Sequence, residues 1–182
     1  MVKLLHGDNN EAAKEEANLL LILTLVIDPE AQQYFDGLRK AYFPPERNFI
    51  DAHLTLFHAL PDDLRVHEHL ELISKQQATF YLNAASVVSI GNGTAIKIDC
   101  PSLKILHAQL QTNWFDFLTP QDRQKIWPHI TVQNKVQPDD AKFLQNALAE
   151  NFEPFSFTTS GLKLWRYLGG PWEFVSYFPF KQ

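Results

Sequence analysis

The sequence predicts a mixed α+β fold made of two copies of one βαβαβ unit (strand, helix, strand, helix, strand). Three pairs of short motifs indicate the duplication: Ile27-Asp28-Pro29 with Ile98-Asp99-Cys100-Pro101, His53-x-Thr55 with His129-x-Thr131, and Pro61-Asp62-Asp63 with Pro138-Asp139-Asp140. Their offsets are about 71, 76 and 77 residues, which is typical of an internal repeat. Two such units related by a pseudo-two-fold axis would place the two His-x-Thr strands side by side, with both imidazoles facing one cleft.

The first unit begins with an apolar run at residues 19–27, which indicates a fully buried strand. Asp28 and Pro29 then form a helix start, with an N-cap residue followed by proline at the first helical position. We expect this helix to span 29–42 and to end before Pro44-Pro45. A His-x-Thr strand at 48–58, a helix at 61–77 and a strand at 80–90 complete the first unit.

The second unit follows a hairpin-type turn at Gly91-Asn92-Gly93. We predict a strand at 94–99, a helix at 101–117, the second His-x-Thr strand at 126–133 and a helix at 138–150. Two aromatic strands at 155–168 and 173–180 close the chain. The predicted organisation is a partly disordered lead-in at 1–18 and one bilobal domain at 19–182, with halves at about 19–90 and 94–180.

Composition limits the class of function. The 182 residues are 45% hydrophobic and 13% aromatic, which is enough for a sizeable core, and the net charge is -5. An acidic chain is a poor match for long duplex nucleic acid, which requires a basic face. The single cysteine, Cys100, favours a reducing compartment, so we expect a cytoplasmic protein. No apolar run is long enough for a transmembrane helix, and no membrane partner is expected.

The two His-x-Thr-x motifs are His53-Leu54-Thr55-Leu56 and His129-Ile130-Thr131-Val132. Chance predicts about 0.07 such tetrapeptides in a chain of this composition, so two copies are significant. In a strand, alternate side chains share a face, so each motif would bury its two apolar residues and present an imidazole beside a hydroxyl.

With these motifs the sequence resembles the two-histidine (2H) phosphoesterases, which include the 2′-5′ RNA ligases and related cyclic nucleotide phosphodiesterases. Pro128, directly before His129, is similar to that family's second motif. The resemblance covers about residues 19–180. It implies a bilobal LigT-like fold of duplicated βαβαβ units, with antiparallel sheets around a central cleft. The implied substrates are nucleotides or RNA ends that carry a 2′,3′-cyclic phosphate or a 2′-5′ linkage.

The residue types suit this chemistry. Hydrolysis of a cyclic phosphodiester needs one proton acceptor and one proton donor, and imidazole serves as either near neutral pH. His53 and His129 are therefore the candidate catalytic residues, and the sequence leaves their roles as acid and base open. Thr55 and Thr131 are candidate phosphate-binding residues, because their hydroxyls can donate to non-bridging oxygens. No metal and no cofactor are expected.

Several weaker candidates surround the motifs. Phe57 continues the His53 face and can stack on a base or pack in the core, and Gln133 continues the His129 face and can reach a base or phosphate, so both are candidate substrate-binding residues. His58 has the opposite parity to His53 and is predicted to be structural. In the C-terminal hairpin, aromatic residues can either wall the cleft or pack in the core; they are Trp165, Tyr167 and Trp172. Arg166 and Lys135 are expected at the solvated surface.

Three other interpretations stay open. One is metal catalysis through His67-Glu68-His69, although residues two apart on a helix point in different directions and chelate poorly. Another is a nucleophilic Cys100. The third is a module that binds a nucleotide or RNA end without catalysis. Within the 2H interpretation, the same chemistry run in reverse would be an ATP-independent 2′-5′ RNA ligation. The sequence does not fix the oligomeric state.

Overall fold

The computed structural model describes residues 20–181. Its strands are β1 (Leu21–Ile27), β2 (Leu54–Leu60), β3 (Tyr81–Ser89), β4 (Thr94–Asp99), β5 (His129–Gln133), β6 (Phe155–Tyr167) and β7 (Trp172–Pro179). Its α-helices are α1 (Pro29–Tyr42), α2 (Leu64–Gln76), α3 (Pro101–Trp114) and α4 (Pro138–Ala149). The predicted lead-in at 1–18 lies outside the described residues.

The start of α1 shows how the sequence sets these elements. Asp28 is the N-cap, as predicted, and its carboxylate accepts from the Ala31 N–H at 2.9 Å. The same carboxylate accepts from the Thr158 N–H at 2.6 Å, which fixes the first turn of α1 against β6. Pro29 occupies the first helical turn, where its missing N–H costs no hydrogen bond.

Two predicted boundaries differ from the structure in the same way. β2 begins at Leu54 rather than at 48, and β5 begins at His129 rather than at 126. In both places the residues before the strand form a loop whose backbone carbonyl bonds the ring of the motif histidine. These carbonyls belong to Asp51 and Trp127, so the loops position the histidines instead of extending the sheet.

The strands pair in the order β2-β1-β6-β3-β4-β5, with β7 also on β6, and each of these pairings is antiparallel. The sheet curls into a half-barrel, so that its two terminal strands, β2 and β5, approach each other. These are the two strands that carry the His-x-Thr motifs. The predicted α+β fold, with antiparallel sheets around a central cleft, is confirmed.

The long strand β6 joins the two lobes. Its first four residues, 155–158, pair with β3, and residues 159–167 pair with β1 and β7. One lobe therefore contains β1, β2, β7 and most of β6, and the other contains β3, β4, β5 and the start of β6. Each lobe takes strands from both halves of the chain, because β3 precedes residue 90 and β6 and β7 follow residue 150.

A single cluster of buried apolar side chains runs through both lobes. It includes Phe35, Leu82 and Leu164, each at most 1% exposed. Among residues 20–181, none of the helices combines the length and the apolar character needed to cross a bilayer.

Candidate active site

The two motif histidines are held in the same way. Nδ1 of His53 lies 2.8 Å from the Asp51 carbonyl, and Nδ1 of His129 lies 2.9 Å from the Trp127 carbonyl. A carbonyl oxygen only accepts hydrogen bonds, so each Nδ1 carries the proton. This leaves each Nε2 as the atom that exchanges a proton with a ligand.

The curl of the sheet brings both motifs into one cleft of about 580 Å³. Its lining includes His53 and Thr55 from the first motif and His129 and Thr131 from the second. Thr55 pairs with Thr24 on β1, and Thr131 pairs with Ala95 on β4, so each threonine stands on a sheet with a buried apolar residue on either side of it. The arrangement places two proton-exchanging groups and two hydroxyl donors around a shared space.

A tryptophan packs beside each histidine. The rings of His53 and Trp172 have centroids 4.6 Å apart, and those of His129 and Trp127 are 4.8 Å apart. Trp172 comes from the first residue of β7, and Trp127 from the loop before β5. These rings limit the rotation of the imidazoles and reduce their contact with water.

The surroundings of His53 favour its neutral form. The pKa of His53 is lowered to about 4, mainly by desolvation. The hydrogen bond to Asp51 opposes this shift, and the positive charges of Arg39, His58 and His129 add to it. At neutral pH the ring is therefore uncharged, with a lone pair on Nε2. The sequence could not predict this protonation state of His53.

Residues 27–171 match the protein family described as the 2′-5′ RNA ligase superfamily. This chain belongs to that superfamily. Its resemblance to the 2H phosphoesterases, inferred from the two motifs, is confirmed. The superfamily is enzymatic, with phosphoesterase and ligase-like members.

Solved structures agree with this membership at the level of the fold. The protein TT0787 of Thermus thermophilus is 16% identical, with 88% of this chain and 97% of that chain covered and a TM-score of 0.63. E. coli LigT, complexed with 3′-AMP, is 17% identical, with coverage of 90% and 99% and a TM-score of 0.61. A protein described as a phosphoesterase is 17% identical, with coverage of 91% and 99% and a TM-score of 0.59. No protein of curated function matches the sequence significantly.

The superfamily motif is followed by a β-bulge in each half, and the bulges correct two expectations. In β2, Thr24 pairs with Thr55 but Leu23 pairs with Phe57, so Leu56 is an extra residue. In β5, Ala95 pairs with Thr131 but Thr94 pairs with Gln133, so Val132 is an extra residue. An extra residue reverses the alternation of side chains beyond it.

Phe57 therefore does not face the cleft. It is 0% exposed and stacks on His107 with ring centroids 4.5 Å apart. Gln133 is also buried, at 8% exposure, with its side-chain oxygen 3.5 Å from the Thr94 hydroxyl. Of the two alternatives for Phe57, the structure shows core packing, and Gln133 does not line the cleft as expected, because both side chains follow a bulge.

The first bulge also turns His58 toward the cleft, whereas alternation from His53 predicted the opposite face. Its side chain is 52% exposed, and its Nδ1 lies 3.3 Å from the buried carboxylate of Asp122. Sequence reasoning missed both residues. Strict alternation from His53 gives His58 the wrong face, and Asp122 lies 64 residues away in an irregular segment.

Arg39 is a further residue that the sequence did not single out. It is 5% exposed, and it donates to the side chain of Asn48 and to the backbone carbonyls of Ile50 and Thr131, at 2.8, 3.0 and 3.1 Å. Burial lowers the pKa of Arg39 to about 10, which leaves it charged at neutral pH. One guanidinium thus connects α1, the loop before His53 and the Thr131 backbone.

The other aromatic and charged candidates differ in whether they line a cavity. Trp165 and Trp172 both line a second cavity of about 720 Å³, which meets the cleft at His53 and Trp172. Arg166 instead pairs with Asp62 and Glu173, at 2.9 and 2.6 Å. Tyr167 and Lys135 are exposed and line neither cavity.

The residues behind the rival interpretations have other contacts. His67 bonds Asp62 at 3.2 Å, whereas the ring of His69 meets the edge of Trp114 with centroids 5.5 Å apart. The Cys100 thiol is 2% exposed and contacts the Leu103 N–H and the Tyr81 carbonyl, each at 3.3 Å. Burial raises the pKa of Cys100, which disfavours the nucleophilic thiolate.

Proposed function

We propose that this protein is a metal-independent phosphoesterase that hydrolyses a 2′,3′-cyclic phosphate or a 2′-5′ phosphodiester on RNA ends or small nucleotides. The observation that carries the proposal is the matched pair of imidazoles, each anchored through Nδ1 to a backbone carbonyl, in one cleft. Free Nε2 atoms on both rings are what acid–base catalysis at one phosphorus requires.

In the proposed reaction His53 is the general base and His129 the general acid. Neutral His53 takes a proton from water through Nε2, and the water oxygen forms a bond to phosphorus. The bond from phosphorus to the ribose oxygen breaks, and that oxygen receives a proton from Nε2 of His129. The lowered pKa of His53 supports this assignment, because the base must start uncharged.

Thr55 and Thr131 complete the proposed site. Their hydroxyls donate hydrogen bonds to the two non-bridging oxygens, where negative charge is concentrated during the displacement. Arg39 acts indirectly, through the loop before His53 and through the Thr131 backbone. We therefore assign it a positioning role.

The proposed substrate class has support from the fold relatives. E. coli LigT has been crystallised with 3′-AMP, and also with ATP at a TM-score of 0.52. A nucleotide substrate also agrees with the charge of this chain, because a small ligand needs only local donors while the net charge is -5. ATP-independent 2′-5′ ligation follows the same path with a 5′-hydroxyl in place of water: that hydroxyl loses its proton to His53 and bonds to the phosphorus of a 2′,3′-cyclic phosphate, and the departing ribose oxygen takes a proton from His129.

The test is a turnover screen with three substrates: a nucleoside 2′,3′-cyclic phosphate, a 2′-5′ linked dinucleotide and ADP-ribose cyclic phosphate. We expect hydrolysis of at least one of them, unchanged by EDTA and lost in His53→Ala. His67→Ala is the matched control, because the His67 ring is also held by a hydrogen bond but lies outside the cleft. Activity that EDTA abolishes and a divalent ion restores would contradict the mechanism. Retained nucleotide binding without any turnover would indicate a binding module instead.

A further inference from the structure

The cleft differs in charge from the protein as a whole. The chain carries a net charge of -5, yet the one carboxylate among the described residues that line the cleft is Asp122, which is bonded to His58. Besides His129, the groups at the cleft that can carry positive charge include His58 and Lys125, and both are exposed. This concentration of positive groups favours an anionic ligand that is larger than one phosphate.

His58 is held in a fixed orientation. The Asp122 side chain is 1% exposed and accepts from the backbone N–H groups of His58 and Ala59, each at 2.9 Å. Its Oδ1 also lies 3.3 Å from Nδ1 of His58. Because Nδ1 contacts the carboxylate, the other ring nitrogen, Nε2, is available to a ligand.

Asp122 is itself fixed. Its backbone carbonyl accepts from the Gln111 side chain at 2.7 Å, and its N–H donates to the Thr119 hydroxyl at 3.2 Å. Burial tends to raise the pKa of Asp122, but the hydrogen bonds from His58 and Ala59 hold it below its usual range, so the group stays ionised. The rim that presents His58 and Lys125 is therefore anchored to the edge strand β2.

We propose that His58, together with Lys125, forms a second anion subsite that binds an additional phosphate group of the substrate. The inference rests on the proposed function, because it takes the scissile phosphate to lie between His53 and His129. His53 directly precedes β2 and His58 lies within it, five residues later, so at a rise of about 3.3 Å per residue their Cα atoms are roughly 16 Å apart, and less where the bulge shortens the strand. The two imidazole rings extend from these Cα atoms into the space between them. The gap that is left fits two phosphates of one nucleotide or of neighbouring nucleotides.

Two sources can supply that second phosphate: a 5′-phosphate on the same nucleotide, or the internucleotide phosphate of an RNA strand. Equilibrium binding distinguishes them with three ligands: 3′-AMP, adenosine 3′,5′-bisphosphate and the 3′-phosphorylated dinucleotide ApAp. We expect at least one of the two-phosphate ligands to bind about three- to tenfold tighter than 3′-AMP at low salt, the range expected for a charge-assisted hydrogen bond at an exposed rim. Salt should reduce this gain.

The variants identify the residue responsible. His58→Asn can still donate to Asp122 but carries no charge, so it should bring the two-phosphate ligand close to the affinity of 3′-AMP. Lys125→Gln should remove part of the gain. His67→Asn is the matched control, because His67 pairs with Asp62 at 3.2 Å away from the cleft, and it should keep the full gain.

The outcomes separate this inference from the proposed function. Equal affinity for all three ligands, no binding of any of them, or a gain that survives both His58→Asn and Lys125→Gln would overturn the second subsite. If the wild-type protein hydrolyses no cyclic nucleotide but shows the His58-dependent gain, the proposed reaction fails while the subsite stands. If hydrolysis occurs but the two-phosphate ligands bind no tighter than 3′-AMP, the proposed reaction stands and the second subsite fails.

Discussion

At the scale of single residues, the environment of His53 is the basis for its proposed role as general base. The ring is anchored at Nδ1, covered by Trp172 and close to the positive charge of Arg39. Each of these features is set by a residue outside the His-x-Thr motif. The motif alone supplies two equivalent imidazoles, and the surroundings keep the His53 ring neutral at neutral pH.

The first prediction is a displaced acid limb in the pH–rate profile. His53 acts as a base only when neutral, and its pKa of about 4 lies below the usual histidine value of about 6.5. As pH falls, kcat/KM should therefore hold until below about pH 5 and then decrease. At high pH it should decrease again, when the acid loses its proton, and both limbs belong to the coupled pair.

The measurement is kcat/KM on a nucleoside 2′,3′-cyclic phosphate from pH 4 to 9. Circular dichroism at each pH serves as the control, since loss of fold would imitate an acid limb. An acid limb centred at pH 6.5 or above would show that desolvation does not set the protonation of His53.

At the scale of elements, the paired bulges explain what the sequence could and could not predict. Thr55, His129 and Thr131 were placed correctly on strands, and His53 directly precedes one, because alternation holds over so few residues. Beyond Leu56 and Val132 the alternation reverses, so Phe57 and Gln133 turn into the core and His58 turns toward the cleft. The sequence does not indicate a bulge at either position, because leucine and valine are also common in regular strands.

Long-range contacts were likewise beyond the sequence. Helix starts such as Asp28-Pro29 were predictable, because a cap and a first-turn proline act locally. The bond from Arg39 to the Thr131 carbonyl spans 92 residues, and that from Asp122 to His58 spans 64. Neither follows from periodicity or from a motif.

The second bulge leads to a prediction at Gly93. A Cβ at this position would lie 2.1 Å from the Gln133 carbonyl oxygen and 2.7 Å from Cα of Asn134, both of which are backbone atoms. Gly93→Ala should therefore displace the end of β5 and cost about 1–3 kcal/mol of unfolding free energy, as overpacking does. The measurement is the denaturation midpoint in urea.

Gly37→Ala is the matched control for this prediction. Gly37 lies within α1, and a Cβ there would meet nothing within 4 Å. Its replacement should leave the midpoint unchanged or raise it, because alanine is the better helix former. Equal midpoints for wild type and Gly93→Ala would mean that the close approach of Gly93 to β5 does not constrain the fold.

At the scale of the whole molecule, two lobes of one curled sheet support a single cleft. β2 and β5 are the two end strands of this sheet. β3, from the first half of the chain, lies in the lobe that contains β4 and β5, whereas β7 and most of β6, from the second half, lie in the lobe that contains β1 and β2. Because β6 pairs in both lobes, it joins them. Arg39 adds a direct link between α1 and β5. The two histidines are therefore held relative to each other by the entire fold.

The central claim is that His53 and His129 act as one unit on one phosphate. The most direct measurement is kcat/KM for a nucleoside 2′,3′-cyclic phosphate in His53→Ala, His129→Ala and the double variant, with His67→Ala as the control. Each single change should cost on the order of 10²-fold or more, and the double change should cost far less than the product of the two single losses. Full activity in either single variant, or a double loss equal to that product, would contradict the claim.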